Sequence, residues 1–282
     1  MPGWLIHLGF AYILAKILKI RDIIPILIGS ILPDVSKVSY ITECFGILNT
    51  TQYAFLEPFH TPFISLVLIL AISFLFKQPG KAFLLTSLGA ITHYVLDHLQ
   101  STFYIGRTLF YPFSYYAPKN INLFWPDSTL AIVLSIIGTG ILIYAIFEEN
   151  KKPLRLTHKK LYLFFLFLVI AILVPVFTFN TFLENEPYIN QFKTNKTEMY
   201  FAYSLISSEN PLLIKEIDYE YEIQNQIDVK KGDFISARAK FKTNKVIIEE
   251  YHIHDLRVKE QGSFIAAILF IILILKYPKR YK

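Results

Sequence analysis

The chain has 282 residues, of which 54% are hydrophobic and only 18% charged, with a formal net charge of +6. That composition excludes an intrinsically disordered, collagenous or coiled-coil protein, each of which needs more polar or more strictly periodic sequence. Residues 183–260 hold 25 of the 50 charged side chains and are net −3, so the +9 of the remainder reads as basic residues flanking apolar runs and not as a nucleic-acid footprint. The single cysteine, Cys44, excludes an intramolecular disulfide and a cysteine-based metal cage. No basic stretch precedes the first apolar run, as a cleavable signal peptide would require.

In chain order, the apolar runs at residues 5–18, 23–32, 62–76 and 81–99 are short or interrupted by polar side chains, and are read as four membrane-embedded helices. Pro33, Pro62 and the Pro79-Gly80 pair punctuate their ends. Runs at 128–147, 160–182 and 263–277 approach the roughly 20 residues that cross a bilayer. The expected fold class is an all-α multi-pass membrane domain of about seven segments with a small extracytoplasmic antiparallel β domain. Basic residues fall on alternate connections: Lys16, Lys19 and Arg21; Lys77 and Lys81; Lys151 to Lys160; and the C-terminal Lys276 to Lys282. The positive-inside rule then places the chain in the cell membrane with its N-terminus outside and its C-terminus cytoplasmic.

Within 183–260, period-two alternation marks strands at 199–206, 216–223, 234–241 and 246–258. The expected divisions are a membrane-embedded domain at 1–127, two membrane helices at 128–182, the β domain at 183–260, and a last helix with a basic tail at 261–282. His252 and His254 share a strand face, for which two surface histidines is the preferred reading over a metal pair. Asn49 and Asn195 begin glycosylation sequons, a weak three-residue signal.

Polar residues inside membrane segments are costly and each needs a reason. His93 and Asp97 stand four apart on a helix, so imidazole and carboxylate share a face and can share a cation such as zinc, manganese or iron. Gly89, one turn earlier, leaves room on that face. His7 lies near the outer end of the first segment, Asp34 follows Pro33 at the end of the second, and His60 precedes Pro62 at the start of the third. These outer ends converge on one side, which reads as a metal site facing outward. The aromatic stretch from Tyr111 to Tyr116, with Trp125, reads as a belt at the lipid–water boundary. Arg107 in the same region offers a contact to an anionic head group.

The residues His7, Gly29-Ser-Ile-Leu-Pro-Asp34, Phe59-His60-Thr61, Gly89-Ala-Ile-Thr-His93-Tyr-Val-Leu-Asp97-His98 and Leu109-Phe-Tyr-Pro-Phe-Ser114 together resemble the YdjM-like membrane-bound metal-dependent hydrolases over about the first 120 positions. The His93–Asp97 helix, the early His7 and the Pro33-Asp34 turn are more distantly similar to zinc-dependent phospholipase C. The resemblance implies His7, Asp34, His60, His93 and Asp97 as ligands of a divalent metal, most naturally zinc, and phosphoester hydrolysis as the reaction. The sequence departs from the family pattern in two places. Ser36 stands where a second aspartate is frequent, and Phe55 and Leu56 occupy the place of a His-Arg pair. Glu57 is then the candidate to supply the missing carboxylate, as ligand or as catalytic general base.

The functional expectation is a metal-dependent hydrolase acting on a phosphoester, with a lipid as substrate, at the outer membrane boundary. Its partners would be the bilayer and that substrate, with no nucleic acid. The alternative is a non-enzymatic envelope protein whose outer β domain binds a protein partner. An ion carrier fits less well, because carriers place ionisable residues at mid-membrane and show internal repeats.

Overall fold

The computed structural model describes residues 3–37, 50–101, 103, 108–148, 156–194, 196–216, 218–242 and 245–276. Arg107, Cys44, and the sequon asparagines Asn49 and Asn195 lie outside the described residues.

Helix α1 (Trp4–Ile17) and helix α2 (Ile23–Ile31) form an antiparallel pair, and a 3₁₀ turn at Leu32–Lys37 follows. Pro33 has no N–H to continue the α ladder, so the chain tightens there and turns Asp34 inward. Helix α3 (Thr50–Leu56) runs into a second 3₁₀ turn at Glu57–His60, then into α4 (Pro62–Ser73) and α5 (Pro79–Leu99). After a long connection come α6 (Thr129–Phe147), α7 (Leu161–Phe177), α8 (Phe179–Asn185) and α9 (Pro187–Lys193). The chain then builds five strands and closes with α10 (Leu256–Lys276).

Glycine brings α2 and α5 into backbone contact. A Cβ added at Gly29 would stand 1.9 Å from the Thr86 carbonyl oxygen, and one at Gly89 would stand 2.0 Å from that of Ile26. No side chain fits between these helices, so their C-terminal ends are held side by side. Leu8, Leu27, Leu142 and Leu273 belong to one buried cluster, so α10 returns to pack with α1, α2 and α6. The last helix is therefore part of the N-terminal core and not a separate appendage. A second cluster joins α4, α5, α7 and α8 around Ile64, Tyr111 and Phe182.

Seven membrane crossings are not what the sequence builds. Only α6 is long and apolar enough to span a bilayer among the described residues, or up to three spans if each bent helix pair counts as one. The reason is length. With 14 residues in α1 and nine in α2, the two helices rise about 21 and 14 Å, short of a hydrocarbon core of about 30 Å. Helix α5 has the length, 21 residues, but carries Thr86, Ser87, Thr92, His93, Asp97 and His98. The run at 160–182 breaks by 53° between α7 and α8, and the chain bends by 70° between the Glu57–His60 turn and α4. The multi-pass reading is thus overturned, and with it the premise by which alternating basic connections assigned an inside and an outside. Two of those basic residues have carboxylate partners instead: Lys16 pairs with Glu148 and Lys81 with Asp22.

The segment after α9 forms a closed five-stranded barrel in the order β1-β2-β3-β5-β4. Its strands are β1 (Glu198–Glu209), β2 (Leu212–Glu216), β3 (Tyr219–Ile223), β4 (Phe234–Lys242) and β5 (Lys245–His254). It is mixed and not purely antiparallel, because β3 and β5 pair in parallel through Glu222–Lys245 and Ile223–Val246. That pairing seals the sheet and removes its edges. The alternation at 216–223 conceals the end of one strand and the whole of the next. The barrel core of Met199, Phe201, Ile214, Ile235 and Val246 also takes in Tyr188 and Phe192 from α9, which plugs it.

Candidate metal centre

Helix direction gathers the polar residues at one end of the helical core. His7 lies in the first turn of α1, Ser30 near the C-terminal end of α2, and Asp34 in the turn beyond it. His60 closes the second 3₁₀ turn, and His93 and Asp97 stand in the last two turns of α5. The ion pairs of Lys16 and Lys81 lie at the opposite ends of the same helices.

Asp34, His60, His93 and Asp97 each direct one ligand atom into a common space in which these atoms lie within 4.8 Å of one another. Both imidazoles and Asp34 are fully or almost fully buried. His93 Nε2 is 3.7 Å from Asp34 Oδ1 and 3.3 Å from Asp97 Oδ2, and His60 Nδ1 is 3.5 Å from Asp34 Oδ1. These gaps exceed good hydrogen bonds. All three are of the size of the separations between ligand atoms around an ion with bonds of about 2.0–2.2 Å.

The tautomers agree with that reading. His93 Nδ1 lies 2.8 Å from the Ser30 carbonyl oxygen, which can only accept. In the neutral ring Nδ1 therefore carries the proton and the Nε2 lone pair faces the two carboxylates without a hydrogen-bond partner. Burial alone would lower the pKa of this ring, but Asp97 and Asp34 raise it, so a proton competes with a metal ion for Nε2. His60 Nε2 is 2.8 Å from Asp97 Oδ2, a contact that likewise requires Nε2–H and leaves Nδ1 free of any hydrogen bond. Trp4 Nε1 donates to Asp34 Oδ2 at 2.8 Å and fixes that carboxylate from behind. A buried pocket of lone pairs from two imidazoles and two carboxylates is costly unless something positive sits among them.

His7 is fully buried and stacks on His93 with centroids 4.0 Å apart, its Nε2 3.4 Å from Asp97 Oδ1. It stands beside the four and not within their set. Burial, with His93 alongside, pushes its pKa down to about 4, so the ring is neutral near pH 7. Burial alone would raise the Asp97 pKa, but His93, His60 and His7 around it hold it well below the usual carboxylate range. Glu57 is buried at the start of the turn that ends in His60, outside the ligand set.

Among the sequence candidates, then, Asp34, His60, His93 and Asp97 come together, His7 lines their edge, and Glu57 is buried in the turn that ends in His60 without being one of the four. Two supports were not anticipated, Trp4 and the Ser30 carbonyl. Trp4 had a signal, since it stands three residues before His7 on one helical face. Ser30 follows Gly29, whose close approach to α5 brings that carbonyl to His93. The aromatic stretch also departs from a lipid belt: Tyr111 is fully buried against Phe182, although Phe113 and Tyr116 are exposed. His252 and His254 are not plain surface histidines, because both contact Asp127.

The four-residue set is one that any borderline divalent ion accepts. Comparison of the chain with protein-family models, curated proteins and solved structures finds no match, so the resemblance to membrane-bound hydrolases rests on the motif residues alone.

Proposed function

We propose that this chain is a membrane-associated, metal-dependent hydrolase acting on a phosphoester, with a lipid headgroup as the favoured substrate class. The observation that carries the reading is the buried convergence of Asp34, His60, His93 and Asp97 with ring tautomers already set for coordination. Zinc suits this ligand set best, and manganese or iron would be accepted by it. A bound divalent ion supplies Lewis acidity, making water nucleophilic near neutral pH and polarising a phosphoryl oxygen.

The protein's own groups then have separate tasks. Asp34 and Asp97 offset the positive charge, Trp4 holds the Asp34 carboxylate in place, and the Ser30 carbonyl holds the His93 ring. Glu57, the buried carboxylate beyond the ligand set, is assigned proton transfer as general base. The apolar exterior of α6 and α7 supports the lipid preference, since such a surface suits contact with a bilayer.

The test is hydrolysis of a chromogenic phosphodiester in detergent micelles by the full chain. Activity should vanish on chelation, return with zinc or manganese, and fall by two orders of magnitude or more in Glu57→Gln with metal content unchanged. A preparation that binds no metal and is indifferent to chelator would instead favour a partner-binding envelope protein.

A further inference from the structure

A second set of ligand-type side chains lies where the barrel meets the helical core. Asp127 immediately precedes Ser128, the N-cap of α6, while His252 and His254 alternate along one face of β5. Asp127 and the two histidines, separated by 125 and 127 positions in sequence, place one ligand atom each within 4.8 Å of one another. His252 Nε2 is 2.9 Å from Asp127 Oδ1, and His254 Nδ1 is 3.2 Å from Asp127 Oδ2. The Asp255 N–H also donates to Asp127 Oδ2, at 3.0 Å.

The rings are held as rigidly as metal ligands need to be. Trp125 stacks on His252 with centroids 4.1 Å apart and planes 3° from parallel. Tyr203 stacks on His254 at 4.0 Å. The two imidazoles face each other edge-on with centroids 4.8 Å apart. The far nitrogen of His254, Nε2, is 2.7 Å from Ser236 Oγ. In the tautomer that donates to Ser236, the Nδ1 lone pair points at the space shared with Asp127 and His252, the outer-shell pattern that fixes a coordinating histidine. The Asp127 and His254 side chains are buried at 7% and 1% exposure, whereas His252 is 28% exposed. One side is thus open to water, which can enter as the fourth ligand.

We infer that Asp127, His252 and His254 form a second divalent-metal site, of zinc type, that clasps the end of β5 to the entrance of α6. Two imidazoles and one carboxylate with an open fourth position make a ligand set that zinc takes. It shares no residue with the Asp34 cluster. An ion bound there joins two distant parts of the chain, and so stabilises the seating of the barrel on the helices by mass action.

The experiment uses the full chain in detergent, stripped by chelator, reloaded with zinc and washed, with metal counted by elemental analysis. Wild type should hold two equivalents. His93→Ala combined with Asp97→Ala should hold one, and addition of His252→Gln to that pair should leave none. Heating curves of the His93→Ala/Asp97→Ala protein should shift upward with zinc, and that shift should disappear on adding His252→Gln. His252 is part-exposed and glutamine keeps a donor toward Asp127, so this variant folds if the site is only a hydrogen-bonded clasp. Zinc content and thermal shift unchanged by His252→Gln would overturn the inference. Failure of the Asp34 cluster alone would read differently: one equivalent in wild type, lost with His252→Gln and kept in His93→Ala/Asp97→Ala.

Discussion

His93 holds the centre of the helical site because one ring nitrogen is committed to a backbone carbonyl and the other is thereby freed. Replacing it with alanine removes a lone pair and leaves the Ser30 carbonyl and two carboxylates facing a void. His93→Ala and Asp97→Ala should each lose most of the metal bound at this site, measured by titration with zinc against a competing chelator. Trp4→Phe tests the layer behind. It deletes only the hydrogen bond to Asp34 Oδ2, so it should weaken zinc 10- to 100-fold without abolishing binding, the usual cost of removing an outer-shell partner. Affinity equal to wild type in Trp4→Phe would show that Asp34 does not depend on it.

At the scale of elements, the site exists because two helices touch. Gly29 and Gly89 bring α2 against α5, and that contact alone delivers the Ser30 carbonyl to His93. Gly89→Ala drives a methyl group into the Ile26 carbonyl, which cannot yield as a flexible side chain would. The expected cost is about 1–3 kcal/mol, together with a fall in metal affinity as the helix ends part. Gly140→Ala in α6 is the control, since nothing lies within 4 Å of its added Cβ. There the helix should gain up to about 1 kcal/mol, the ordinary advantage of alanine over glycine. Thermal denaturation of the two variants should move in opposite directions, and a matching loss in both would remove the close-contact argument.

How much could be read beforehand also divides by element. Apolar runs located the longer helices, since periodicity and Pro/Gly punctuation are local signals, but passed over α3 and α9. The i, i+4 spacing of His93 and Asp97 put both on one face. Bilayer crossing was misjudged because an apolar run records burial and not what buries it. Leu5, Leu8, Ala11 and Ala15 of α1 and Ile23, Ile24, Ile26 and Leu27 of α2 are buried in one cluster shared with α6 and α10, while Phe10, Ile13 and Ile17 of α1 stay exposed. The long-range facts were not legible: the return of α10 into the first core, the parallel β3–β5 pairing, and the meeting of Asp127 with β5. Each joins positions that no local pattern relates. At 246–258 the strand pattern ran past its end because β-branched and charged residues continue into α10, which starts at Leu256.

For the whole molecule, the exterior of α6 and α7 is the dominant feature. Only Ala171 and Pro175 are buried along the 17 residues of α7, and Phe177 is 81% exposed. Ile136, Ile143 and Phe147 continue the apolar surface on α6. A face of that extent needs a bilayer, detergent or partner to cover it. The chain should sediment with membranes, resist extraction by high salt and be released by detergent. A protein that stays monomeric and soluble without detergent would contradict a lipid-facing role for these helices.

The most direct measurement is anomalous diffraction at the zinc edge from crystals of the zinc-loaded full chain. A peak should appear in the space between Asp34, His60, His93 and Asp97, with ligand atoms from these side chains at about 2.0–2.2 Å and the His93 Nδ1 contact to Ser30 retained. A zinc-loaded crystal with no peak there, and the four side chains spaced as they are now, would contradict the account at its centre.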